Sequence, residues 1–256
     1  MSFYNYTIED HVAVLRLDRP PVNAVSVQVY LDLEVALNEL ADNDDVYVVI
    51  LTGSPNVRAF CGGGDLNEFM VLNGETRLKR FETVDRVLPM ISSFPKPIIA
   101  AVNGPAVGVG VAMISSCDIR MCADNVFFAI PEIDRGVIAA DLPMMKKICV
   151  PTGIVKEWIL TARRFSAAEA HKYGFIDHVY EPDDLMNQAL RLAKKIAGKA
   201  PKSIIYHKKA FLESETMSWV ECYFKSHEYS AELTEHGNSK EGIKAFFEKR
   251  TPNYVN

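Results

Sequence analysis

Apolar and polar residues alternate from Tyr4 to Glu9 and again from His11 to Leu17, with a turn at Asp10 between them. Alternation on both sides of a turn predicts a β-hairpin. Arg19-Pro20-Pro21 breaks the pattern. From Ser26 to Asn43 the spacing becomes helical, with Val29, Leu31, Leu33, Val35, Leu37 and Leu40 available for a buried stripe. Val46 to Thr52 is apolar almost throughout, as in a strand covered on both faces of a parallel sheet. Two polar helical segments reach Ser92. A strand from Ile98 to Asn103, a helix from about Gly108, and short strands near residues 119–122 and 126–130 come next. Beyond Ser166 the pattern is helical apart from a strand near residues 176–180, punctuated by Pro182 and Pro201. Repeated strand–helix–strand alternation indicates an α/β fold. A core over residues 1–200 and a helical appendage over 201–256 are expected, and no repeat is visible in the residues themselves.

Composition narrows the setting. The chain has 256 residues, 48% hydrophobic and 24% charged, enough for a substantial core. A formal net charge of −5 argues against a polyanion-binding surface, so nucleic acid is not an expected partner, although Lys and Arg number 28. The first ten residues carry no basic leader followed by an apolar run, and no stretch approaches the roughly 18 apolar residues of a membrane span. Five scattered cysteines, Cys61, Cys117, Cys122, Cys149 and Cys222, have no metal-ligand spacing and suit free thiols in a reducing compartment. The expectation is a soluble, cytoplasmic protein without a metal.

Two loops share one grammar: apolar strand, glycines, helix start. They are Ala59-Phe-Cys-Gly-Gly-Gly-Asp-Leu66 and Asn103-Gly-Pro-Ala-Val-Gly-Val-Gly110. Glycine after a strand allows a positive φ and close approach of a ligand, and the following helix presents unpaired N–H groups. Two such loops, converging, could grip one developing oxyanion; either alone is equally well read as a tight turn. The second loop offers G-x-G at 108–110, but Met113 stands where a dinucleotide fingerprint needs Gly or Ala. There is no P-loop and no G-x-S-x-G elbow. His227-Glu228 begins like a zinc-protease motif, but Ala231 occupies the second histidine position. Cys61 has no base near it in sequence and is read as packing. Glu132 follows the apolar run Phe127-Phe-Ala-Ile-Pro131. Desolvation there would raise its pKa and suit it to shuttle protons, whereas the plain alternative is a surface Glu at a loop.

These pieces, in this order, resemble the crotonase (enoyl-CoA hydratase/isomerase) superfamily. The resemblance rests on Arg19-Pro-Pro-Val-Asn-Ala24, the loop 59–66, Lys96 to Ala106, Cys117-Asp-Ile-Arg120, Phe128-Ala-Ile-Pro-Glu132, residues 167–177 and Phe246-Phe-Glu-Lys-Arg250. It implies a spiral of ββα units with a helical C-terminal oligomerisation region, assembled as trimers or dimers of trimers. It also implies an acyl-CoA thioester substrate, with coenzyme A part of that substrate and no permanently bound cofactor. The thioester oxygen would be held by backbone N–H groups that fall by position on Gly64 and Val109. Coenzyme A would lie along Ala24, Val25, Ala59, Asp65 and Leu66, with Lys249 and Arg250 toward its phosphates, from this subunit or a neighbour.

The departures bear on the reaction. Family hydratases add water with two glutamates; the second matches Glu132, and the first falls on Ala112, which can neither hold nor activate water. One carboxylate suffices to move a double bond. The stretch 131–139 and Pro20-Pro-Val-Asn23 are similar to family Δ3,Δ2-enoyl-CoA isomerases, which keep only this second carboxylate. Ala139-Ala-Asp141 resembles the family's dienoyl-CoA isomerases, whose distal aspartate lies one residue nearer the glutamate. Asp141 is therefore either a helix cap or a second acid. Isomerisation is the leading expectation. The alternatives are a hydratase, other lyase or hydrolase using Asp141, and a non-catalytic acyl-CoA- or RNA-binding homologue.

Overall fold

The computed structural model describes residues 2–139, 148 and 150–254; Asp141 and Cys149 lie outside them. In chain order, β1 (Tyr4–Glu9) and β2 (Val12–Leu17) precede α1 (Val27–Asp42), and β3 (Val48–Gly53) precedes α2 (Leu66–Met70), α3 (Gly74–Val84) and α4 (Val87–Ser93). Then come β4 (Ile98–Val102), β5 (Ala106–Val107), α5 (Val109–Ser115), β6 (Ile119–Ala123), β7 (Phe127–Ala129) and a 3₁₀ turn, Pro131–Arg135. The remaining described elements are α6 (Thr152–Thr161), β8 (Phe165–Ser166), α7 (Ala167–Lys172), β9 (His178–Tyr180), α8 (Leu185–Ala197), α9 (Pro201–Glu213), α10 (Trp219–Glu235) and α11 (Gly237–Glu248).

The large sheet runs β1-β2-β3-β4-β6-β9 and the small one β5-β7-β8. The opening hairpin is antiparallel, and every later pairing in the large sheet is parallel. Parallel strands need helical crossovers and are buried on both faces. All of β3 and β4 is accordingly buried. The spiral becomes clear once single-residue bridges are counted as strands. After β2, Val25 pairs with Gly64 before α1; after β3, Cys61 pairs with Ala106 before α2. After β4 and β6 the same position is taken by β5 and β7, which pair with each other. Each turn of chain thus contributes a strand to the large sheet, a shorter extended piece to a second layer, then helical backbone. That is the expected ββα spiral.

Local chemistry explains the ends and faces of these elements. Ser26 caps α1 by accepting from the Val29 N–H, and the buried Lys96 ammonium closes its other end by donating to the carbonyls of Leu40 and Asn43. The helix buries Val29, Tyr30, Leu33, Ala36, Leu37 and Leu40. Leu31 is only half-buried and Val35 is exposed, which corrects the stripe expected from sequence. Apolar residues at 31 and 35 fall between the i, i+3, i+4 and i+7 positions that face the sheet. Helix α8 crosses the large sheet on Leu185, Ala189, Ala193 and Ala197, a four-residue spacing whose small side chains allow close approach. Trp158 of α6 stacks on Phe165 at 3.8 Å and meets Phe175 edge-on, joining α6 to the small sheet.

Three differences from the sequence reading stand out. The polar region before Ser92 holds three helices rather than two, because Asn73 and Thr76 form a reciprocal capping box that starts α3 afresh. Helix α6 and the two-residue strands β5 and β8 were not anticipated. Helices α9 to α11 follow Pro201 and leave Phe211, Trp219, Phe224, Phe246 and Phe247 exposed. No helix among the described residues is long and apolar enough to cross a membrane.

The corrected face of α1 is testable. Leu33→Ala should cost about 2–4 kcal/mol in urea unfolding, whereas Val35→Ala should stay within about 0.5 kcal/mol of the parent. Equal costs would contradict the orientation described.

Candidate active site

The site is built where three second-layer segments lie side by side. The Val25 N–H donates to the Gly63 carbonyl at 2.8 Å, and the Asp65 N–H donates to the Val25 carbonyl at 2.9 Å. Successive backbone groups of an extended chain point to opposite sides, so these two bonds turn the Gly64 N–H away from Val25. The next segment is joined by Cys61 N–H to the Pro105 carbonyl and Val107 N–H to the Cys61 carbonyl. The Gly108 N–H then reaches the Ala129 carbonyl at 2.9 Å, attaching the second glycine loop to β7. Val109 opens α5, where an N–H has no intrahelical acceptor. Among the described residues, no acceptor is recorded for the N–H of Gly64 or Val109.

Two asparagines hold these loops. Asn23, fully buried with φ +55°, donates to the Ala59 and Phe60 carbonyls and accepts from the Arg19 N–H. Asn103 exchanges both hydrogen bonds with the backbone of Gly53. At two of the glycines a side chain would intrude on groups of the pocket itself. At Gly64 a Cβ would meet the Phe69 ring at 2.8 Å. At Gly108, φ +53° and ψ −115° disfavour any L side chain, and a Cβ would run into the Glu132 carboxylate.

That last contact places Glu132. It sits in the 3₁₀ turn after β7, and the β5–β7 pairing of Val107 with Ala129 brings the turn against the start of α5. The Val137 N–H donates to the Glu132 carbonyl, and Gly136 ends the turn in the left-handed conformation. Gly64, Val109 and Glu132 line one pocket of about 340 Å³. Phe69, Arg77 and Arg80 form another part of its wall. None of these wall residues is named from sequence; Arg77, Phe81 and Val84, at helical spacing, are the signal that could have found them. Phe69 and Tyr30 were missed.

The other anticipated residues divide into two groups. Arg19 donates to the Ala24 carbonyl at 2.6 Å and forms an ion pair with Asp65 at 2.7 Å. With Asn23 bonded to Ala59, this gathers Ala24, Val25, Ala59 and Asp65 on one ledge beside Gly64, and Leu66 follows, half exposed. Lys249 and Arg250 do not line the pocket. They close α11, and Arg250 is held by both carboxylate oxygens of Glu241 and by Glu248. Ala112 is buried within α5. Cys61 is fully buried, and burial pushes its thiol up to about 12, which accords with packing rather than nucleophilic chemistry. No cluster of metal-ligating side chains occurs among the described residues.

A ββα spiral that brings two backbone N–H groups and the Glu132 carboxylate into one pocket has the architecture of the crotonase class. The enoyl-CoA hydratase/isomerase family model matches residues 7–256, and the chain belongs to that family. It is 30% identical to the peroxisomal Δ(3,5)-Δ(2,4)-dienoyl-CoA isomerase of Arabidopsis thaliana, over 94% of this chain and 91% of that one. It is 31% identical to the short-chain-enoyl-CoA hydratase of Clostridium acetobutylicum, over 94% and 93%. The crystal structure of an enoyl-CoA hydratase from Bacillus anthracis superposes with a TM-score of 0.93 at 28% identity, covering 99% of each chain.

The Arg19 guanidinium hydrogen-bonded to Asp65 holds that carboxyl below the usual aspartate range. A carboxyl lowered on folding stabilises the native state above its ordinary pKa, and that contribution is lost as pH falls through the lowered value. Asn at 65 keeps a capping oxygen for α2, so Asp65→Asn isolates the charge. It should cost about 1 kcal/mol at pH 7, and the gap in urea midpoint should close as pH drops below about 4. A gap independent of pH would show that the ion pair contributes nothing.

Proposed function

We propose that this family member isomerises 3-enoyl-CoA thioesters to 2-enoyl-CoA through an enolate, with Glu132 as the single base. The thioester oxygen accepts hydrogen bonds from the Gly64 and Val109 N–H groups. Glu132 removes a proton from C2, and the electron pair moves into the thioester, leaving a dienolate with negative charge on that oxygen. The protonated Glu132 returns its proton to C4, and the double bond shifts from C3–C4 to C2–C3. Proton and charge balance, and no water enters. Each preorganised backbone donor is worth about 3–4 kcal/mol to a charge that develops only in the transition state. Coenzyme A rests on the ledge of Ala24, Val25, Ala59, Asp65 and Leu66.

The observation that carries this reading is that Glu132 shares the pocket with both donors, while Ala112, which by the family resemblance falls at the position of the first hydratase glutamate, is buried within α5. A second reading, hydration, is favoured by the hydratases among the relatives. It requires another acid, for which Asp141 is the candidate from sequence.

The two readings separate on 3-hexenoyl-CoA and 2-hexenoyl-CoA given singly to the protein. Isomerisation predicts turnover of the 3-enoyl thioester, no hydration of the 2-enoyl thioester, and a loss of about 10²–10⁴-fold in Glu132→Gln. Hydration of 2-hexenoyl-CoA would contradict the argument from Ala112.

A further inference from the structure

The part of the pocket wall beyond Phe69 carries more positive charge than an alkyl chain needs. Phe69 stands between the glycine loop and two cations: one edge of its ring lies against the Cα of Gly64, and the guanidinium groups of Arg77 and Arg80 lie over the ring, at 5.1 and 4.9 Å. Arg77 also lies over Phe81, and Arg80 over Tyr30. Both arginines line the same pocket as Glu132.

Arg80 is the more telling of the two. Its side chain is only 8% exposed, and burying a guanidinium is costly unless its donors are matched. Its recorded carboxylate partner is Glu68, reached through Nε at a long 3.4 Å. That carboxylate already accepts from the Val27 N–H with both oxygens, at 3.0 and 3.1 Å. Among the described residues, no acceptor is recorded for the terminal nitrogens of Arg80, or for the guanidinium of Arg77. Asp85, at the end of α3, also lines this pocket but forms no ion pair with either arginine among the described residues. Aromatic faces stabilise the two cations, and they also hold the planar groups in fixed orientations. A rigid guanidinium with free terminal donors matches the two oxygens of a carboxylate.

We infer that the acyl group accepted here is short and ends in a carboxylate, which Arg77 and Arg80 bind beside Phe69. The inference rests on the proposed acyl-CoA reading of this pocket and names the substrate class within it. The thioester end meets Gly64, Val109 and Glu132. The free carboxylate supplies an acceptor that no described residue gives to the terminal nitrogens of Arg80 or to the guanidinium of Arg77.

Saturated thioesters test the inference apart from the chemistry, because they bind without isomerising. Calorimetry on the intact protein would compare adipoyl-CoA, hexanoyl-CoA and free coenzyme A. Adipoyl-CoA should bind about tenfold more tightly than hexanoyl-CoA, and added salt should reduce the preference. In Arg77→Gln and Arg80→Gln the ratio of the two affinities should fall toward one. Arg77 has no carboxylate partner among the described residues, so Arg77→Gln carries the test if the Arg80 variant fails to fold. Equal binding of the two thioesters, or preference for hexanoyl-CoA, would overturn this inference alone. An equal loss for all three ligands in the variants would assign the arginines to the phosphates of coenzyme A and overturn it too. Failure of all three to bind would overturn the acyl-CoA reading itself.

Discussion

Two bare Cα atoms make the pocket possible. At Gly108 the Glu132 carboxylate occupies the space where any other residue would carry a Cβ, and at Gly64 the Phe69 ring does the same. These close approaches set the distance between the base and the start of α5, and between the first glycine loop and the acyl-side wall. A methyl group at 64 would push the Phe69 ring aside, and one at 108 would displace the Glu132 carboxylate and impose an unfavourable backbone conformation. The site therefore depends on backbone shape before it depends on side-chain chemistry.

The spiral supplies that shape. Each crossover returns the chain to the large sheet in the same sense, so the extended pieces that follow β2, β3, β4 and β6 stack as a second layer. Gly64, Val109 and Glu132 sit at the ends of successive members of that layer. Ladder hydrogen bonds fix their register, and Asn23 and Asn103 bind the loops between layers. Residues separated by dozens of positions in the chain are thereby held by a few short backbone bonds. Rigid backbone donors are the form of electrostatic stabilisation that needs least reorganisation as charge develops.

Much of this was legible in the residues. Long periodic or wholly apolar segments, such as β3, β4 and the span of α1 from its Ser26 cap, declared themselves, as did the glycines and Glu132. The individual wall residues were not named. Phe69, Arg77 and Arg80 belong to polar helices whose informative face looks into a pocket rather than the core, so hydrophobic periodicity does not mark them. Strands β5 and β8 have two residues each, too few to show a period, and pairing alone makes them strands. The repeat is absent from the sequence because the spiral repeats hydrogen-bonding topology and not side chains. Leu31 and Val35 show the opposite error, in which an apolar residue was taken for a buried one. Arg250, expected toward the phosphates of coenzyme A from this subunit or a neighbour, is paired within its own chain with Glu241 and Glu248.

The central claim is that one carboxylate and two backbone N–H groups generate a thioester enolate. Exchange of the C2 protons of hexanoyl-CoA in deuterated water, followed by proton NMR, reports that step with no product chemistry. The account predicts deuterium incorporation at C2 in the presence of the protein and none above background with Glu132→Gln. Exchange that persists at the parent rate in Glu132→Gln would contradict it.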